Sequence, residues 1–144
     1  MIRWVLLIYK IPREPTAGRV YVWRKLKRLG ALALQDAVWV LPATPGTREQ
    51  LQWLAVEIGE RGGEILLWES TLIPPAQEAT LIAQFVAAVD TEYTAILADL
   101  AQPAADPAAL ARRYQQVQPQ DYFHSPLGQQ VRAALLAARG GPDS

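Results

Sequence analysis

Arg19-Val20-Tyr21-Val22-Trp23-Arg24-Lys25-Leu26-Lys27-Arg28-Leu29-Gly30 is flanked by two short apolar runs, Trp4–Tyr9 before it and Ala37–Leu41 after it. Its apolar and charged residues separate at about 100° per residue, which predicts an amphipathic helix between two strands. Val22, Trp23, Leu26 and Leu29 fall in one arc, expected to sit on a sheet. Arg24, Lys25, Lys27 and Arg28 fall in the opposite arc, with Tyr21 among them. Arg19 lies on the apolar side, near the helix start. Its stem is expected to pack while its head reaches solvent; the sharper alternative holds it inward for an anion or a carboxylate.

Working outward, Ile2–Ile11 reads as a central strand, apolar on both faces and ended by Pro12 and Pro15. Thr16 is the expected cap of the helix and Gly30 its left-handed stop. Residues 31–42 read as one bent strand or as a hairpin turning at Gln35-Asp36. Two short strands, Ala31–Leu34 and Ala37–Leu41, are the preferred reading. Thr47 with Gln50 suggests a capping box opening a second helix, whose core stripe is Leu51, Leu54, Ala55 and Ile58. Trp53 lies off that stripe, and either packs under later helices or marks a subunit contact. Gly62-Gly63 stops this helix, and Ile65–Trp68 is the last strand.

The order strand, helix, paired strands, helix, strand predicts an α+β fold: a ferredoxin-like antiparallel sheet with two helices, followed by a C-terminal helical extension. The expected division is 1–72 for the α/β domain and 73–144 for the extension. Two helices on one side leave a sheet face open, to be covered by a partner subunit or by the rest of the chain. Beyond Pro74-Pro75, Ile82, Phe85, Val86, Val89, Tyr93, Ile96, Leu97 and Leu100 recur at spacings of three and four. They predict a helix of about 25 residues, ~38 Å long, with one end projecting or packed on a partner. Asp106-Pro107 opens a short helix through Val117, with Leu110, Tyr114 and Val117 inward. Gln118–His124 is a loop. Ser125-Pro126 caps a last helix, Leu127–Ala138, and Gly140–Ser144 reads as a frayed tail.

The 144 residues carry no net charge, and they are 51% hydrophobic and 19% charged. The charge is unevenly spread, since residues 1–28 hold eight bases and one acid, whereas the remainder holds six bases and thirteen acids. Such asymmetry predicts a basic surface for nucleic acid or another polyanion, unless the later acids fold back onto these bases. Tyr21, Arg24, Lys25, Lys27 and Arg28 are the candidate nucleic-acid contacts. Lys10, Arg13 and Arg19, around the end of strand one and the start of the helix, are candidate anion ligands.

The absence of cysteine removes disulfides, thiolate metal sites and a cysteine nucleophile. One histidine, His124, cannot build a multi-histidine metal site. Asp121, His124 and Ser125 are too close in sequence for a triad, whose members meet from separate segments. Glu57, Glu60, Glu64 and Glu69 read as a solvated face. No phosphate-binding glycine loop or nucleophile elbow is present. No catalytic residue, metal or cofactor is therefore assigned. No apolar run was expected to reach the ~18 residues that cross a bilayer, and no signal-peptide pattern is visible, so a cytoplasmic protein without a membrane partner is expected.

Trp4–Pro12, Arg19–Ala31, Val38–Pro42, Gly62-Gly63-Glu64 and Asp121-Tyr122-Phe123 together resemble the N-terminal domain of the chromate-resistance regulator ChrB. The resemblance covers most of residues 3–135. It implies transcriptional regulation of chromate resistance, with DNA binding by this part. Full-length members of the family carry a further chromate-linked domain, so a separate chromate-sensing protein is an implied partner. The first half is similar, more distantly, to the small nuclease-like subunit of CRISPR adaptation and to the C-terminal domain of phenylacetate-pathway repressors. Both are ferredoxin-like and dimeric, which implies a homodimer. The nuclease pattern places an aspartate where this chain has Lys10, and a cation cannot ligate Mg²⁺. The expectation is thus a DNA-binding regulator rather than an enzyme. A protein-interaction module and a catalytically altered nuclease are the alternatives.

Overall fold

A computed structural model describes residues 1–140. Four strands and two helices come first: β1 (Trp4–Lys10), α1 (Thr16–Leu29), β2 (Leu32–Gln35), β3 (Val38–Pro42), α2 (Pro45–Glu60) and β4 (Glu64–Ser70). They make one antiparallel sheet in the order β2-β3-β1-β4. This element order and this pairing are those of the split β-α-β arrangement, so the α+β, ferredoxin-like expectation holds.

Alternation along the strands explains the layers. Val5 and Leu7 are buried, whereas Ile8 on the other face is 38% exposed. Val22 and Leu26 of α1 and Leu51, Leu54 and Ile58 of α2 complete the core on the covered side. On the opposite face, Leu66 and Trp68 of β4 stand 57% and 55% exposed. The register sets Leu66 opposite Ile8 and Trp68 opposite Leu6.

Several local readings shift. Gly30 ends α1 in the left-handed conformation, as expected, but the N-cap is Pro15 rather than Thr16, and it makes no side-chain bond. Trp23 is 51% exposed and does not join the core arc. The buried line of α1 runs through Gly18, Val22 and Leu26, and Trp23 lies about 100° around the helix from Val22. The capping box of α2 is formed by Thr44 and Thr47, one turn earlier than Thr47 and Gln50, because Pro45 already supplies the first helical residue. Residues 31–42 are two strands, joined through a turn in which Ala37 adopts φ 63°. Gly63 follows α2 where a Cβ would lie 2.6 Å from the Lys10 carbonyl and 2.8 Å from Ile58 Cγ2. Only glycine lets the chain pass there into β4.

The remaining elements are α3 (Pro75–Leu100), α4 (Pro107–Val117), a 3₁₀ turn (Gln118–Gln120) within the expected loop, and α5 (Pro126–Gly140). The chain divides into two compact units, Met1–Glu78 and Ala79–Ser144. The first turn of α3 belongs to the first unit, where the Glu78 carboxylate accepts from the Ile2 N–H at 2.6 Å. The rest of α3 supplies Val89, Tyr93 and Ile96 to a core shared with Leu110, Val117, Val131 and Leu135. The length of α3 is thus used by a second core rather than by a projecting end. The expectation about apolar runs is corrected here: α3 is long and apolar enough, by length and composition, to pass for a membrane span. Its stripe of Val89, Tyr93 and Ile96 is what a core helix of a helical unit needs. Of the tail, Gly140 ends α5 and residues 141–144 lie outside the described residues.

Candidate nucleic-acid and anion interface

The residues of α1 outside its buried line divide between its two flanks. Arg19, Trp23 and Lys27 follow one another at steps of four, so they stack as one row along the helix. Tyr21 and Lys25 form a second row on the other flank. Arg24 stands exposed between them.

The first row borders a cleft of about 920 Å³ on the helix-covered face of the sheet. Tyr9 and Trp39 line it from β1 and β3, Lys10 and Arg13 from the end of β1 and the connection to α1, and Gln35 and Asp36 from the hairpin. The cleft exists because alanines occupy this side of the edge strand β2 and the position just before it. Ala33 lies opposite Trp39 in the register, and Ala31 precedes the strand, so no large side chain fills the space. The Tyr9 N–H donates to the Ala37 carbonyl at 3.0 Å, which holds the hairpin against the end of β1.

Four cations line this cleft, Lys10, Arg13, Arg19 and Lys27, against one carboxylate, Asp36. Among the described residues none of the four makes an ion pair within 4 Å. The Lys27 ammonium lies 5.8 Å from the Trp23 ring centroid, within reach of a cation–π contact. Four cations sharing a cleft with a single carboxylate repel one another on balance, and an anionic ligand relieves that repulsion.

The second row has a different setting. Lys25 and Arg28 line a groove of about 540 Å³ with Trp53, Glu57 and Glu60 of α2. The Tyr21 ring is covered by Arg61, whose guanidinium carbon is 4.3 Å from the centroid, with the Lys25 ammonium at 5.7 Å. The expected five-residue contact set therefore does not form one surface. Lys27 joins Lys10, Arg13 and Arg19, whereas Lys25 and Arg28 border α2 and Tyr21 lies beneath Arg61. Arg19 is exposed and lines the cleft, so it is not held inward. Tyr9, Gln35, Asp36 and Trp39 were missed as lining residues. The step of four from Arg19 to Trp23 to Lys27 was the available signal.

Elsewhere, several polar groups have partners among the described residues. Among the first-half bases, Arg3 pairs with Glu69 at 3.7 Å, and Glu69 also accepts from Arg48. That Arg48 hydrogen bond, helped by the charges of Arg48 and Arg3, holds the Glu69 carboxyl below its ordinary value. In the helical unit, Asp121 accepts from the Tyr93 hydroxyl and from the Ser125 N–H, each at 2.9 Å. The Ser125 hydroxyl donates to the Asp90 carboxylate, and it accepts from the Leu127 N–H at 3.3 Å. Burial, then the Asp121 bond, raises the Tyr93 phenol well above its usual range, and burial pushes Tyr122 up to about 12. Asp121 and Ser125 thus tie down the start of α5, while His124 is exposed at φ 54°. Among the described residues no three histidine or acidic side chains gather as a metal site.

Residues 19–118 match the family described as "Protein ChrB, N-terminal". The chain is 34% identical over 97 residues to the "Protein ChrB" of Cupriavidus metallidurans (strain ATCC 43123 / DSM 2839 / NBRC 102507 / CH34). That alignment covers 67% of this chain and 29% of the relative, so the chain spans under a third of the protein it matches. No solved structure matches it. The match includes most of α1, the hairpin and most of the cleft-bearing unit but not β1, and the chain belongs to the ChrB N-terminal domain family, which is associated with chromate resistance.

Proposed function

We propose that this chain is a regulatory DNA-binding domain acting in chromate resistance, in the cytoplasm and without a catalytic role of its own. The observation that carries this reading is the row of unpaired cations along one flank of α1, Arg19 and Lys27 with Arg13 and Lys10 beside them. Arg24, exposed on the crest of the same helix, extends it. Such cations take phosphate oxygens and fix position on a duplex, setting affinity rather than sequence choice. Lys25 and Arg28 contribute less, because Glu57 and Glu60 share their groove. A separate chromate-sensing protein is the proposed partner. The chain works as a homodimer, a reading supported by the apolar Leu66 and Trp68 exposed on the edge strand β4.

Fluorescence anisotropy on a labelled duplex across a salt series tests the DNA reading. The triple variant Arg19→Glu/Arg24→Glu/Lys27→Glu is expected to lose at least about a hundredfold in affinity and to flatten the salt dependence. Retention of the wild-type salt slope by that variant defeats the proposal.

A second reading, a protein-interaction module, is favoured by Trp53 and Val56, which stand 62% and 52% exposed on α2. It predicts that Trp53→Ala removes partner capture in nuclease-treated extract while DNA affinity stays unchanged.

A further inference from the structure

We infer that the cleft between α1 and the β2–β3 hairpin is a binding site for a nucleoside polyphosphate. Its volume of about 920 Å³ lies in the range of small-molecule sites, ~300–1,000 Å³. A bare tetrahedral oxyanion, the bulk of a few waters at ~30 Å³ each, fills only a small part of it. The lining asks for two kinds of chemistry in one ligand. Lys10, Arg13, Arg19 and Lys27 outnumber Asp36 and make no ion pairs within the described residues, which matches a ligand with several negative charges. Trp23 borders the same space half-exposed and Tyr9 lines it partly exposed, which matches a planar ring able to stack, while Trp39 lines it as a buried core residue. Gln35 and Asp36 bring an amide and a carboxylate to the hairpin side, able to hydrogen-bond a base edge or a ribose hydroxyl. A nucleoside polyphosphate carries both parts at once. The inference rests on the same anion-binding reading of Arg19 and Lys27 as the DNA proposal, so nucleotide and duplex compete for them.

Isothermal titration calorimetry on the intact chain at fixed ionic strength tests it, using ATP, tripolyphosphate and adenosine as separate ligands. ATP is expected to bind at least about tenfold more tightly than either fragment. Trp23→Ala should weaken ATP about tenfold and leave tripolyphosphate unchanged. Arg19→Gln should weaken both. Trp23 and Arg19 are exposed, so both variants are expected to keep the wild-type melting temperature; Gln35→Ala, on the hairpin, gives an independent loss specific to ATP. Equal affinity for ATP and tripolyphosphate, or no heat with ATP, overturns the inference. So does binding of a single-stranded oligonucleotide that ATP fails to displace. Duplex affinity is measured separately without nucleotide. ATP failing while duplex binding persists removes the nucleotide site alone, and the reverse result removes the DNA role alone.

Discussion

Each compact unit carries one polar cluster, and the two clusters are built in opposite ways. In the helical unit, Tyr93, Asp121, Ser125 and Asp90 are bonded to one another around the start of α5. In the α/β unit, Lys10, Arg13, Arg19 and Lys27 gather on one flank of α1 with no counter-charge within ion-pair distance among the described residues. A satisfied, part-buried network fixes a conformation, because each member left alone would carry a desolvation cost. An unsatisfied, solvated cluster does little for the fold and is available to a ligand. The contrast separates side chains that hold shape from side chains left available to a ligand.

The contrast breaks most visibly if charge reversal on α1 unfolds the protein. Arg19→Glu/Arg24→Glu/Lys27→Glu is expected to cost at least about a hundredfold in duplex affinity, while thermal stability stays within about 0.5 kcal/mol, as for ordinary surface changes. Circular dichroism melting beside the anisotropy series checks both halves. Gly63→Ala is next. Its Cβ meets the Lys10 carbonyl and Ile58, which should cost about 3 kcal/mol in denaturant unfolding of the α/β unit. Asp121→Ala is the converse experiment in the helical unit. It strands the buried Tyr93 hydroxyl and the Ser125 N–H, and should cost about 2–3 kcal/mol while duplex affinity is unchanged. The smallest effect is expected at Glu69. Its carboxyl is held below the ordinary 4.5 by Arg48, so its stabilising contribution is present above that value. The contribution is lost as pH falls through the lowered folded value. Glu69→Gln should therefore be slightly less stable than wild type at pH 7 and converge with it in acid, read from melting curves across pH.

Legibility in the sequence followed the scale of the interaction. The order of elements, Gly30 as a helix stop and the Asp106 cap of α4 depend on neighbours in the chain, and they stand as read. The caps of α1 and α2 moved because proline competes with threonine for the first positions, a choice made by one or two residues. Trp23 was misplaced because an arc drawn on an isolated helix has no fixed centre. The sheet chose Gly18, Val22 and Leu26 as that centre, and Trp23 fell to the rim. The basic arc divided for the same reason, and Arg61, more than thirty residues downstream, came to lie on Tyr21.

By itself the sequence determined the alternation of strands and helices, the helical second half and the concentration of positive charge in the first 28 residues, because periodicity and composition are properties of adjacent residues. Tertiary structure alone decided which cations share a cleft, which sit beside α2 carboxylates, and that Tyr9 and Trp39 border the same space. Those facts depend on strand register and on where α1 is seated, and both are set by contacts between residues far apart in the chain.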